Sequence, residues 1–177
     1  MAATPDIVGY WESIAERRLG RYITGVQRQV LELGMVRRPA PETAFEIGCG
    51  GGRWSRILAS KGYSVICADV DSASLEECHR RIPDAHCILT SPDQRILPCD
   101  SESVGLLFCF EVEPVTVADW FPREAARVMK PGAVLVASFL NCASIRGLAH
   151  RMLGHSSGEE AFYRRSYVSC RKQLRAA

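Results

Sequence analysis

Phe45-Glu46-Ile47-Gly48-Cys49-Gly50-Gly51-Gly52 is a short apolar run that ends in an acid and breaks into four glycines in five residues. Ala44–Ile47 reads as a buried strand, Gly48–Gly52 as a tight loop, and Arg53–Lys61 as a helix that Gly62 ends. The same alternation continues downstream. Ser64–Ala68 is a second strand, and Asp71 or Ser72 caps a helix running through Arg81. Ala85–Leu89 and Gly105–Phe110 are a third and a fourth strand. Asp119 is placed to cap a helix from Trp120 to Lys130, closed by Pro131-Gly132, before a fifth strand, Ala133–Phe139. Upstream, Tyr22, Ile23, Val26, Val30 and Leu33 recur at helical spacing with Gly34 as the stop, and Arg37–Thr43, carrying Pro39 and Pro41, links into the first strand. Short apolar strands alternating with helices predict an α/β fold, a doubly wound, Rossmann-like, mostly parallel sheet with helices on both faces. Right-handed crossovers then place a ligand crevice at the carboxyl ends of the strands.

The glycine turn narrows the ligand. A dinucleotide wants GxGxxG, with its pyrophosphate on the following helix N-terminus. Here the spacing is GxGxG (Gly48, Gly50, Gly52), and Glu46 ends the strand just before it. A carboxylate repels a pyrophosphate and attracts an ammonium or a sulfonium. Asp69, 23 residues after Glu46, ends the second strand, where a carboxylate can accept from both hydroxyls of a ribose. That pattern suits either a nicotinamide dinucleotide or S-adenosylmethionine. Asp93, just past the third strand, stands where a carboxylate can accept an adenine amine, although Ser-Pro-Asp is also an ordinary turn.

With these residues in place the chain resembles the class I S-adenosylmethionine-dependent methyltransferases, in particular their small-molecule, ubiquinone-biosynthesis-type branch. The matching segments are Glu46–Gly52, Ala68-Asp69-Val70-Asp71-Ser72, Asp93 ahead of Ile96-Leu97-Pro98, Glu111-Val112, and Arg127-Val128-Met129-Lys130-Pro131-Gly132. By that resemblance Glu46 lies near the methionine amine, and Gly48, Cys49, Gly50 and Gly52 carry the loop under the amino-acid moiety. Asp69 holds the ribose, Val70 packs on the adenine, Asp93 and Gln94 read the adenine edge, and Phe110 with Glu111 lines the far side. The implied reaction is in-line methyl transfer to a small-molecule acceptor, which depends mainly on proximity and alignment. The resemblance names no catalytic residue. The family's acidic residue entering strand four is Gly105 here, and its acidic-His element after strand four is replaced by Glu111-Val112-Glu113-Pro114. Its last two strands are missing: after Phe139 the chain reads as a helix over Ser144–Leu153 and a basic segment. Two rivals stand beside this reading, a nicotinamide-dependent oxidoreductase and a cofactor-binding, non-catalytic partner subunit.

Composition bounds the rest. At 177 residues, 47% hydrophobic and 24% charged, the chain has room for one globular domain and excludes collagen-like, low-complexity and disordered classes. Its expected organisation is a cofactor-binding core over residues 1–140, with N-terminal helices in 1–36, and a helical, basic segment over 141–177. No apolar run is long enough to span a bilayer, and Met1–Asp6 has no signal character, so a cytoplasmic location is expected. The eight cysteines include no CxxC pair and read as reduced. The Cys78-His79 and His86-Cys87 pairs fit no ligand spacing, so no metal is expected. Residues from Asn141 onward carry seven Lys/Arg against Glu159 and Glu160, whereas residues 1–140 carry 15 basic and 18 acidic groups. That tail is either a solvated face or a surface for anionic lipid or a protein partner. A pI near 8.1 argues against nucleic acid. An unpaired sheet edge invites a homodimer. Tyr10 and Trp11 read as core aromatics with a capping role as the alternative, and His150 and His155 have no evident partner.

Overall fold

The computed structural model describes residues 7–153 and 165–177. Five parallel strands form its sheet: β1 (Thr43–Ile47), β2 (Ser64–Asp69), β3 (His86–Leu89), β4 (Val104–Cys109) and β5 (Met129–Ala137), in the order β3-β2-β1-β4-β5. The helices are α1 (Ile7–Glu16), α2 (Arg18–Arg37), α3 (Arg53–Ser60), α4 (Ser72–Arg81), α5 (Glu113–Thr116), α6 (Phe121–Val128), α7 (Ile145–Leu153) and α8 (Tyr167–Ala176). The direction of winding reverses between β1 and β4, so a crevice opens at their carboxyl ends. β4 is buried at all six positions because both faces of the sheet are covered. Leu106 and Phe108 join one apolar cluster with Leu58, Trp54 and Leu75, and Leu107 and Cys109 join the other with Phe45, Phe121 and Val128.

Most local readings hold. Asp71 caps α4 by accepting from Ser74 N at 2.8 Å. Two do not. The helix expected from Trp120 to Lys130 ends at Val128, and Pro131-Gly132 lies inside β5 rather than before it. There the register slips: Met129 pairs with Val104, but Val134 pairs with Leu106. A proline, which has no N–H to donate, is tolerated at such an irregularity. Asp119 does not cap α6; it pairs with Arg165 instead, and Trp120 takes the cap position without a side-chain bond.

A further correction concerns α2. Gly34 does not stop the helix, and of the residues that give it its period all but Ile23 turn outward: Tyr22 is 69% exposed and Leu33 54%. Gln27, Leu31 and Gly34 face the sheet instead. The phase is set by Gly34, where a Cβ would stand 2.9 Å from Val136 Cγ2 and 3.2 Å from Leu106 Cδ1. Only a bare Cα brings α2 this close to β4 and β5. That phase buries Gln27 with neither amide atom hydrogen-bonded. No described helix is long and apolar enough to cross a membrane. Among the described residues no strand lies beyond β5, whose outer edge is unpaired. The side chains of Tyr10, Trp11 and His150, and all of His155, lie outside what is described.

Two substitutions test this packing by chemical denaturation. Gly34→Val is expected to destabilise the fold by about 1–3 kcal/mol through overpacking. Gln27→Met, which removes an unpaired buried amide at nearly constant volume, is expected to stabilise it by about 1 kcal/mol. A destabilised Gln27→Met would contradict the assigned phase of α2.

Candidate functional site

At the carboxyl ends of β1, β2 and β4 the surface opens into a cavity of ≈ 580 Å³. Its floor is the β1–α3 loop. Gly48, Gly50 and Gly52 all have positive φ (69°, 49° and 73°), the left-handed region that a Cβ disfavours. A side chain at Gly48 would overlap Val112, and one at Gly52 would meet Cys78 Sγ at 2.7 Å. The first, third and fifth positions of the motif are thus glycine for conformation, and two of them for space as well.

Two strand-end carboxylates hold that loop. Asp69 accepts from Gly50 N at 2.7 Å through one oxygen and from Asp71 N at 3.0 Å through the other. Gly48 N and Cys49 N both donate to Ala68 O, so the loop is tied to the end of β2. Each carboxylate oxygen carries a second lone pair, so Asp69 can still accept hydroxyls from the cavity side. Glu46 is buried, and its Oε2 accepts from Ser55 N at 3.1 Å and from the Ser55 hydroxyl. Ser55 lies in the first turn of α3, so Glu46 satisfies an otherwise orphan helix donor. Burial raises the Glu46 pKa well above the usual 4.5, and the Ser55 hydrogen bond offsets only part of that.

Eight of the eleven residues expected at the cofactor line this one cavity: Glu46, Gly48, Cys49, Gly50, Asp69, Val70, Phe110 and Glu111. Val70 is 54% exposed, an apolar side chain offered to the opening. Phe110 packs edge-on against Trp54 with ring centroids 5.5 Å apart. Glu111 holds φ at +58°, a strained backbone for a residue with a Cβ, and its N–H donates to Ser138 Oγ at 2.7 Å. Gly52 lies beneath the loop rather than in the lining. Asp93 and Gln94 are not brought to the cavity. Asp93 is exposed on the loop after β3, and Gln94 Nε2 donates to Ile96 O at 2.8 Å.

Sequence reasoning missed the roof. The corner between α1 and α2 contributes Ile14, Ala15, Leu19, Ile23 and Thr24. Arg81, at the end of α4, ties that roof to the floor: Nη1 lies 2.6 Å from Glu12 Oε1 and 3.2 Å from Gly51 O. Glu12 and Arg81 are 69 residues apart, and no local pattern announces their meeting. Folding also gathers sulfurs. Cys49, Cys67 and Cys78 bring their thiols within 4.8 Å of one another, all buried, while His79 and His86 face solvent.

A family model described as a methyltransferase domain matches residues 45–137, β1 through β5. The chain belongs to the class I S-adenosylmethionine-dependent methyltransferases. It is 29% identical over 143 residues to the malonyl-[acyl-carrier protein] O-methyltransferase of Serratia marcescens, covering 77% of this chain and 54% of that one. The chain thus spans about half the length of this curated relative. Among solved structures, the Pyrococcus horikoshii protein PH0226 superposes with a TM-score of 0.67 at 13% identity, over 95% of this chain and 88% of that one. An S-adenosylmethionine-dependent methyltransferase from Thermotoga maritima superposes at 0.56 and 19% identity, over 94% and 79%. At such identities the likeness is one of fold. The cofactor of the family is S-adenosylmethionine, and the donor set fits it: two strand-end acids, an open Gly50 and an exposed Val70 around one cavity.

The expectation that Glu46 faces the cofactor's amine has a pH signature. A cation beside Glu46 favours its carboxylate, so binding expels the proton that burial retains in the free protein. Cofactor affinity is expected to climb as pH rises from 4.5 through the raised pKa and to level off above it. Calorimetry in buffers of different ionisation enthalpy should show proton release in that window, and Glu46→Gln should abolish it. In the free protein the folded state binds this proton more tightly than the unfolded chain, so the fold loses stability as pH rises through the same window. Asp69→Ala should weaken cofactor binding by on the order of 1.5–3 kcal/mol. Unchanged affinity in a folded variant would remove Asp69 from the site.

Proposed function

We propose that this chain is an enzyme that methylates a small-molecule carboxylate inside the cavity over the Gly48–Gly52 loop. The observation that carries the reading is the convergence of Glu46, Asp69 and the glycine turn on one largely apolar cavity. S-adenosylmethionine, when bound, supplies an electrophilic methyl group on a sulfonium. The chain's own residues bind and orient. Asp69 holds the ribose hydroxyls while keeping Gly50 in place, Glu46 neutralises the amine, and Val70 covers the adenine. Ile14, Leu19 and Ile23 exclude water from above.

The acceptor class follows from what the cavity offers it. Among the described residues no histidine lines the space. Of its five acids, Glu12 and Asp71 are engaged with Arg81 and Ser74 N, Glu46 with Ser55 and Asp69 with the glycine loop, which leaves Glu111 as the one carboxylate whose side chain has no such role. An acceptor that is already anionic at neutral pH needs no base, which suits a carboxylate better than a hydroxyl or an amine. Arg17 and Arg53 give the lining cationic groups that attract such an acceptor, and Arg53 lies over the Trp54 ring, 5.0 Å from its centroid. The Serratia relative, by its name an O-methyltransferase of a malonyl carrier protein, supports the same chemistry.

The chain is incubated with S-adenosylmethionine and a panel of carboxylic acids that includes a malonyl thioester, with amines and phenols alongside. Mass spectrometry should find methyl esters. Amine or phenol products without esters would overturn the acceptor class. Micromolar cofactor binding with no turnover on any acceptor would favour the non-catalytic partner subunit.

A further inference from the structure

We infer that Cys49, Cys67 and Cys78, with Cys87 at their edge, form a binding site for one thiophilic d10 cation, Zn²⁺ or Cu⁺. The three thiols come from separate elements, the β1–α3 loop, the middle of β2 and the second turn of α4, and all are buried. Their sulfurs lie within 4.8 Å of one another. A metal about 2.3 Å from each of three thiolates holds those sulfurs about 4 Å apart, so the free cluster needs to close by less than ~1 Å.

Cys87 stands directly beside Cys67 in the β2–β3 register, and it interacts with both Cys67 and Cys78. A fourth sulfur is therefore at hand for an ion that prefers tetrahedral ligation, and three suffice for one that accepts trigonal ligation. A set of clustered sulfur ligands selects soft cations over magnesium or calcium.

Two further features favour a site over plain packing. The cluster is braced. Cys67 Sγ lies 3.2 Å from Ser55 Oγ, which itself bonds Glu46, and Cys78 Sγ presses against the bare Cα of Gly52. It also has an entrance, because Cys49 lines the cavity and lies 5% exposed. Uptake of M²⁺ by three thiols releases three protons to solvent and leaves an M(SR)₃⁻ centre, so no oxidant or reductant is consumed.

The test uses the full chain, reduced and stripped with a chelator. Cd²⁺ serves as a spectroscopic stand-in for Zn²⁺, and Cu⁺ is titrated separately. One ion per chain should bind with a thiolate-to-metal charge-transfer band, and the thermal midpoint should rise, since only the folded state offers the assembled ligands. In mild denaturant that opens these buried thiols in the metal-free chain, bound metal should protect Cys49, Cys67 and Cys78 from alkylation, read peptide by peptide, while Cys99 and Cys142 stay reactive. Protection of Cys87 with Zn²⁺ identifies four-sulfur ligation, and its continued reactivity with Cu⁺ identifies three. Cys67→Ser and Cys78→Ser should each weaken the ion at least 100-fold while still binding S-adenosylhomocysteine. No stoichiometric ion in the wild type, undiminished binding in these variants, or protection centred on Cys99 or Cys142 would overturn the site. If a variant does not fold, the alkylation map of the wild-type chain decides the matter.

Discussion

The hydrogen bond from Gly50 N to the Asp69 carboxylate, 2.7 Å long, is the constraint on which the site depends. A loop of left-handed glycines has no reason of its own to hold one shape, because glycine loses more conformational freedom on folding than any other residue. Asp69 removes that freedom from outside. With Ala68 O accepting from Gly48 and Cys49, the end of β2 becomes a mould for the end of β1. Glu46 does the same from beneath, spending its carboxylate on the first turn of α3. The two acids read as ligand contacts are therefore also the scaffold of the loop expected to lie under the ligand. A substitution at either confounds the two roles unless binding and folding are measured together.

The roof follows a different logic. α1 and α2 reach the cavity from the N-terminal end of the chain, and the Glu12–Arg81 pair fastens them to the glycine loop. A side-chain pair that is partly exposed contributes modestly to stability. Its value here is placement, since it spans roof and floor at the mouth of the cavity. α2 also leaves Tyr22, Val26, Val30 and Leu33 exposed, and among the described residues none pairs with the outer edge of β5. Exposed apolar rows and free strand edges are the features that associating proteins cover.

The sequence was most legible where chemistry is local. Strand–loop–helix alternation, the Asp71 cap and the GxGxG turn each depend on residues within about five positions, and each appears as read. It was least legible where a residue's role depends on a neighbour far along the chain. The apolar period of α2 announced a helix but not its orientation, because Gly34 and the tight approach of Val136 and Leu106 settle the phase. Pro131-Gly132, a stop signal by local rules, became an irregularity inside β5 because pairing with β4 outweighs it.

What the sequence determined by itself was the alternating α/β order, the glycine turn and the strand-end acids Glu46 and Asp69, since these follow from periodicity and backbone sterics. Only the tertiary structure decided that Asp93 and Gln94 stay outside the cavity, that Arg81 reaches Glu12, and that three thiols 18 and 11 residues apart in sequence meet beneath the loop. Those are contacts between elements, fixed by how α4 and α2 pack on the sheet, and packing is a property of the assembled core that no short window of sequence contains.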